Sequence, residues 1–464
     1  MEYFPVEVET PEALIHKITL ELSLIADDLE EERQKWLQSA AETIERQPKD
    51  NDLTEKAREL FAAGDYPAAN AALDLDALRD KAQAAKKEQK ELAEAFVLKA
   101  QLVLTDVKDG GRFDKAMVLF EEAQGICREP EILFEYARYL QDQNQFTAAI
   151  DKYVDVLGKY RLLAQGSEAY QPYVAGALNN LAVLHRNTNK LDEAENEYDE
   201  ALKIYRELAE ENPAAYQPNV ANTLNNLANL HGNTNKLDEA EDEYSEALKI
   251  HRELAEENPA AYQPYVAMTL NNLANLHRNT NRLDEAEDEY NESLKIWREL
   301  AEKNPAAHQP DVAGTLNNLA ILHYTTNKPD KAEGEFNESL KIYRKLAEEN
   351  PAAYKPDVAM MLNNLAELHS DTNKLGEAEN EYKESLKIFR KLAEENPAAY
   401  EPYMAETLGN FARLHRYTNK RDAAKKELTE ALAIITPFYE AYPSAHEKLY
   451  SMIKRALAEL QSDE

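Results

Sequence analysis

Apolar residues recur along most of the chain at intervals of three and four, the spacing that lays one stripe along a helix. One such stripe is Leu224, Leu227, Ala228, Leu230 and His231, and it stops in the polar run GNTNK. A second follows on Leu237, Ala240, Tyr244, Ala247, Leu248 and His251, and ends at ENPAAYQP. Pro218 suits the first turn of the first helix, where a missing N–H is harmless. Asn235, three residues before Asp238, predicts a cap for the second helix. Pro259 and Pro264 block its continuation. No useful length of strand-like alternation interrupts this pattern, so the predicted fold class is all-α.

The helical pair repeats with a fixed period. Asn179, Asn225, Asn271, Asn317 and Asn363 fall 46 residues apart, inside phrases such as LNNLAVLHRNTNKLDEAENEY (178–198) and LNNLANLHGNTNKLDEAEDEY (224–244). A helical period of this size predicts a solenoid, in which each hairpin buries its apolar face only by stacking on its neighbours. The expected organisation has five parts. Residues 1–50 form a long N-terminal helical cap or docking segment, with Leu14, Ile18, Leu22, Ile25, Leu29 and Trp36 on one stripe. Residues 51–130 hold degenerate repeats, around Gly64 to Tyr66 and Ala69, then Ala100, Ala116, Phe120 and Ala123. Residues 131–170 form a further repeat on Leu133, Ala137, Ala149 and Tyr153, residues 171–446 six 46-residue units, and residues 447–464 a C-terminal capping helix.

Leu-x-x-Leu-Ala-x-x-His, followed by Ala240, Tyr244 and Ala247 or by Ala286, Tyr290 and Ser293, resembles the tetratricopeptide repeat (TPR). The phrase PDVAGTLNNLAILH is similar to the repeats of kinesin light chain. The resemblance implies a right-handed α-solenoid of stacked antiparallel helix pairs, whose concave groove holds peptide segments or other proteins. The period of 46 departs from the shorter usual unit, and histidine stands where tyrosine is common.

Charge and chemistry narrow the function. Asp and Glu outnumber Lys and Arg 87 to 53, for a net charge of -34. Such a surface repels phosphate backbones, which argues against nucleic acid as a partner. The one cysteine, Cys127, excludes an internal disulfide and reads as a small buried hydrophobe. The N-terminus lacks the basic and apolar regions of a signal peptide, and no apolar stretch has the length of a membrane span. A soluble, cytoplasmic protein is expected. Six histidines recur in register, namely His185, His231, His277, His323, His369 and His415. Repeats packed at about helix distance cannot bring neighbouring histidines onto one ion, so these read as packing residues. Phosphate loops, nucleophile elbows and zinc-helix motifs are missing from the sequence. The expectation is a non-enzymatic protein without cofactor or metal.

Copies within one chain can be compared with one another. Positions fixed in every copy should serve stacking, and positions that vary should serve recognition. The first asparagine of each pair and the residues four, seven and eight beyond it form one varied, polar face of the first helix. Its predicted groove residues are Asn179, Val183, Arg186, Asn225, Asn229, Asn271, Asn275, Arg278, Asn317, Tyr324, Asn363, Glu367, Arg413 and Arg416. An amide can bond an extended backbone as both donor and acceptor. The second asparagines, Asn180, Asn226, Asn272, Asn318, Asn364 and Asn410, either share that role or form a ladder between repeats. Gly409 breaks the first series, which predicts a weaker grip in the last unit. The four arginines would pair with carboxylates of an acidic partner, or merely neutralise nearby acidic helices. Tyr205, Trp297, Tyr343 and Phe389 share a second-helix position expected to pack between repeats.

The reading that results is a protein-interaction scaffold. Two alternatives stand beside it. One, by family analogy, is a regulatory or inhibitory subunit of a separately encoded effector enzyme, a protease or nuclease. The other is a structural protein that self-assembles, with the N-terminal helix as a route to a homo-oligomer.

Overall fold

The computed structural model describes residues 55–462, apart from 66–67, 70–71, 73–74 and 105–110. The N-terminal stripe from Leu14 to Trp36 lies outside the described residues. The described chain is helical throughout its regular elements and forms an all-α solenoid. It divides into two compact units, 1–159 and 160–464.

In the first unit the described helices are α1 (Glu55–Ala62), α2 (Leu75–Leu104), α3 (Arg112–Ile126), α4 (Pro130–Asp142) and the start of α5 (Phe146–Gly166). Ala100, Ala116, Phe120, Ala123, Leu133, Ala137, Ala149 and Tyr153 are all buried. Phe120 stacks on Tyr136 and Tyr139 at centroid distances of 5.6 and 4.9 Å. The Tyr139 hydroxyl donates to the Phe113 carbonyl at 2.6 Å. Cys127 is half-buried at the end of α3.

The second unit is built from six hairpins: α6 (Gln171–Asn187) with α7 (Leu191–Glu211), α8 (Pro213–Asn233) with α9 (Leu237–Glu257), and α10 (Pro259–Asn279) with α11 (Leu283–Lys303). Then come α12 (Pro305–Thr325) with α13 (Pro329–Glu349), α14 (Pro351–Asp371) with α15 (Leu375–Glu395), and α16 (Pro397–Tyr417) with α17 (Arg421–Ala441); α18 (Pro443–Ser462) closes the stack. Each helix packs on the next along the chain.

The 46-residue period now has a local explanation. Two 21-residue helices, a three-residue turn and one capping asparagine fill it. The first helix starts five residues earlier than Pro218 suggests. Asn212 caps it by accepting from the Ala215 N–H at 3.3 Å, and Pro213 occupies the first helical position. Pro218 therefore sits inside the helix, where its missing N–H forfeits one intrahelical bond near the N-terminal end. Asn235 also differs from its predicted role. Its φ of 64° makes it the left-handed residue that ends the first helix, and the Lys236 N–H bonds back to the His231 carbonyl at 2.9 Å. The same conformation recurs at Asn189, Asn281, Asn327, Asn373 and Asn419. Asparagine tolerates this region better than other residues with a Cβ, which explains why the turn keeps an asparagine here in every copy.

Packing within and between hairpins follows the stripes. Leu270, Leu273, Ala274 and Leu276 are buried on the first helix, as are Ala286, Tyr290, Leu294 and Trp297 on the second. Truncating one such leucine to alanine costs about 2–5 kcal/mol. The shared second-helix position faces the next first helix: His251 on Tyr265 at 5.4 Å, Trp297 on His308 at 5.7 Å, and Phe389 on Tyr403 at 5.9 Å. Buried serines tie the layers further, Ser293 donating to the Ala267 carbonyl at 2.7 Å and Ser339 to Ala313 at 2.8 Å.

Candidate partner-binding groove

Successive first helices of the second unit touch one another, as α6 with α8 and α8 with α10. Successive second helices meet through long side chains, as where Arg206 reaches Glu246 at 2.8 Å and Arg252 reaches Glu292 at 2.7 Å. The first helices therefore approach one another directly, while the second helices are bridged by ion pairs.

The paired asparagines form a ladder along this line. Asn226 donates to Asn179 Oδ1 at 3.4 Å, Asn272 to Asn225 at 3.1 Å, and Asn318 to Asn271 at 3.2 Å. Asn364 donates to Asn317 at 2.9 Å and Asn410 to Asn363 at 3.4 Å. Each rung joins the second asparagine of one hairpin to the first asparagine of the hairpin before. Asn180 starts the series: the turn residues Asn144 and Asn189 are 45 apart, and 45 residues before Asn179 stands Phe134 in place of a first asparagine. Gly409 ends the series where α18 packs: a Cβ there would lie in ordinary contact, 3.6 Å from Ile453 Cγ1 and 3.7 Å from Met452 Cε.

The varied positions divide into engaged and free side chains. Asn229 and Asn275 bond back to the Asn225 and Asn271 carbonyls at 2.8 and 3.0 Å. Asn275 also accepts from the Tyr290 hydroxyl at 2.7 Å. The Tyr324 hydroxyl donates to Asp371 on the next first helix. Arg413 pairs with Glu367 at 2.8 Å and Arg416 with Glu459 of α18 at 3.0 Å. Val183 is half-buried beside Arg186. Arg186 and Arg278 differ from the other two arginines, since neither has an ion-pair partner among the described residues. Arg278 Nη1 is buried without a hydrogen bond, and so is the Tyr198 hydroxyl. Burial pushes Tyr198 up to about 12, against the nearby Arg186 guanidinium, which acts in the opposite sense.

The histidines do more than fill space. His185 Nδ1 lies 2.9 Å from Glu197, and the matching distances are 3.0 Å for His231 to Glu243 and 2.8 Å for His277 to Glu289. His323, His369 and His415 meet Glu335, Glu381 and Glu427 at 2.8, 2.9 and 2.9 Å. His323 Nε2 also reaches Glu287 of the preceding hairpin at 2.9 Å, and Lys328 reaches the same carboxylate at 2.5 Å. Burial pushes Glu243, Glu289 and Glu427 up to about 7. Hydrogen bonds from Lys328 and His323 hold Glu287 down at about 2. His and Glu thus link turn to turn from hairpin to hairpin. The sequence carried a signal for this, because a glutamate follows each of the six histidines by twelve residues. Among the described residues no group of three or more His, Cys, Asp or Glu is placed to hold a metal ion. No described helix is long and apolar enough to cross a membrane.

Family models for the tetratricopeptide repeat match residues 173–253, 220–299, 265–345 and 358–398. No curated protein sequence matches the chain. Among solved structures, BtubC (BKLC) from P. vanneervenii is 21% identical, with a TM-score of 0.44 over 53% of this chain and 92% of that one. The nearly identical TPR-like repeats of a Podosopora anserina protein described as a kinesin light chain are 16% identical, with a TM-score of 0.38 over 48% and 97%. Aspartyl phosphate phosphatase F from Bacillus subtilis is 14% identical, with a TM-score of 0.47 over 92% and 95%. The family matches fall on hairpins that stack through one recurring set of leucine, alanine, asparagine and histidine contacts, and on that ground residues 173–345 and 358–398 of the chain are tetratricopeptide repeats.

Proposed function

We propose that the face shared by the first helices of the second unit is a protein-binding groove and that the chain is a non-catalytic scaffold for a partner's peptide segment. The observation that carries this reading is the state of Arg186 and Arg278. In a chain with 87 acidic residues, both stand without an ion-pair partner among the described residues, on the face that varies from copy to copy. A half-buried guanidinium with an unbonded nitrogen is unfavourable unless something else completes it. A carboxylate of an acidic partner offers the matching acceptors. The asparagine ladder supports the reading differently: its amides are shared between hairpins, which makes it a rigid floor and leaves the arginines and the varied positions to discriminate. Several modest contacts along such a face sum to useful affinity without a deep pocket.

The test is co-purification from the native source, with tagged wild-type protein beside an Arg186→Ala/Arg278→Ala variant. A protein retained by the wild type and lost by the folded variant supports recognition on this face. Equal retention by both removes the two arginines, and with them this reading of the groove.

A further inference from the structure

The six hairpins are near copies in sequence but not in charge. The second helices of the first two, α7 and α9, each carry nine carboxylates against two cations. Those of the fourth and fifth, α13 and α15, carry six against four. One position accounts for part of the change. It is Glu207, Glu253 and Glu299 in the first three copies and Lys345 and Lys391 in the next two. A position in the first helix changes alongside it, from Gln217, Gln263 and Gln309 to Lys355.

Both changes meet in the fifth hairpin. Pro351, Lys355, Glu384, Lys387, Ile388, Lys391 and Leu392 line an open cleft of about 410 Å³ between the start of α14 and the second half of α15. Its apolar atoms come from Pro351, Ile388 and Leu392, and three ammonium groups rim it. Glu384 is already engaged with Arg344 of the preceding hairpin, Nη2 lying 2.9 Å from each carboxylate oxygen. Lys355, Lys387 and Lys391 have no hydrogen-bond or ion-pair partner among the described residues. In the second hairpin the equivalent positions are Gln217, Lys249 and Glu253 and in the fourth Gln309, Lys341 and Lys345, so all three are lysines in the fifth alone. In the sixth they are Glu401, Ala433 and Pro437, which removes all three lysines again.

We propose that this cleft is a second docking site, separate from the groove residues, for a protein segment in which carboxylates flank an apolar side chain. Three uncompensated ammonium groups around one cleft repel each other, and a partner's carboxylates relieve that repulsion. The Pro351, Ile388 and Leu392 surface takes the apolar residue, which gives the site a requirement that a bare anion does not meet. Charge complementarity selects this occupant over a basic protein, which the acidic hairpins at the other end of the stack suit better.

The probe is a fluorescein-labelled peptide, Glu-Glu-Leu-Glu-Glu, titrated with the full chain by anisotropy. The disabling variant is Lys355→Gln/Lys391→Glu, which installs residues already present in the folded second and third copies. Binding by the wild type, weakened about tenfold in the variant and weakened by added salt, is the expected result. The converse variant, Gln217→Lys/Glu253→Lys, should raise the number of bound peptides from one to two. The loss caused by Lys355→Gln/Lys391→Glu should be the same when it is made in an Arg186→Ala/Arg278→Ala background, which separates failure of the cleft from failure of the groove. Equal affinity in wild type and disabling variant overturns the proposal. So does tighter binding of a phosphorylated peptide that lacks carboxylates and leucine, because the site would then be one for phosphate.

Discussion

Asn272 of the third hairpin donates its side-chain N–H to Asn225 Oδ1 of the second at 3.1 Å, and Asn225 is 4% exposed. A buried amide acceptor that loses its donor keeps its desolvation penalty, so this rung should be visible energetically. A double-mutant cycle on Asn225→Ala and Asn272→Ala should give a coupling of about 0.5–1.5 kcal/mol in urea unfolding. Zero coupling would show that the rung adds nothing to stacking and that the amides are held for a ligand.

His251 stands where the other hairpins place Tyr205, Trp297, Tyr343 or Phe389. It is 1% exposed, with Nδ1 3.1 Å from Thr269 Oγ1 and its ring stacked on Tyr265. Burial lowers it to about 4. Below the usual histidine range the unfolded chain takes up a proton that the folded chain refuses, so stability falls as pH drops from about 7 toward 4. At pH 5.5 the loss is about 1.4 kcal/mol. The raised carboxyls Glu243, Glu289 and Glu427 have the opposite sign, being stabilising while protonated and losing that as pH climbs toward 7. The measurement is therefore a difference. A His251→Tyr variant should gain about 1.4 kcal/mol on wild type between pH 7.5 and pH 5.5. A constant gap across that range would mean that His251 titrates in the fold as it does in the unfolded chain.

Gly409→Asn would restore the first asparagine to the last hairpin. The new side chain would extend from a Cβ already in contact with Ile453 and Met452, so α18 should loosen at a cost of about 1–3 kcal/mol. Limited proteolysis should then cut near 442–443 faster than in the wild type. Unchanged cleavage together with a bond from the new asparagine would show that α18 can shift without loss.

Much of this architecture was legible because it is repetitive. Leu224, Leu227 and Ala228 fix one face, Ala240, Tyr244 and Ala247 the other, and a 46-residue register leaves little choice but stacking. Helix ends were harder to read. Pro218 looked like a start because proline is usual there, while Asn212 and Pro213 five residues earlier formed the actual cap. Asn235 was open to two readings, since asparagine serves both a helix start and a left-handed stop, and only backbone geometry separates them. The groove face was legible as a set of varied positions. Its internal bonds were not, because the pairing of Arg413 with Glu367, or of Asn272 with Asn225, depends on how far one hairpin turns relative to the next. The basic cleft was missed for a related reason: Lys355 and Lys391 are 36 residues apart, and only antiparallel packing brings them together.

Gly409 carries a further consequence for how such an array can change length. Every internal joint presents the same asparagine rung, so an inner hairpin can be duplicated or lost without leaving a mismatched surface. The joint at Gly409 lacks that rung and packs on α18 instead. Exchange of inner hairpins leaves this last joint untouched, so the stack can change length while its sixth hairpin and α18 stay together.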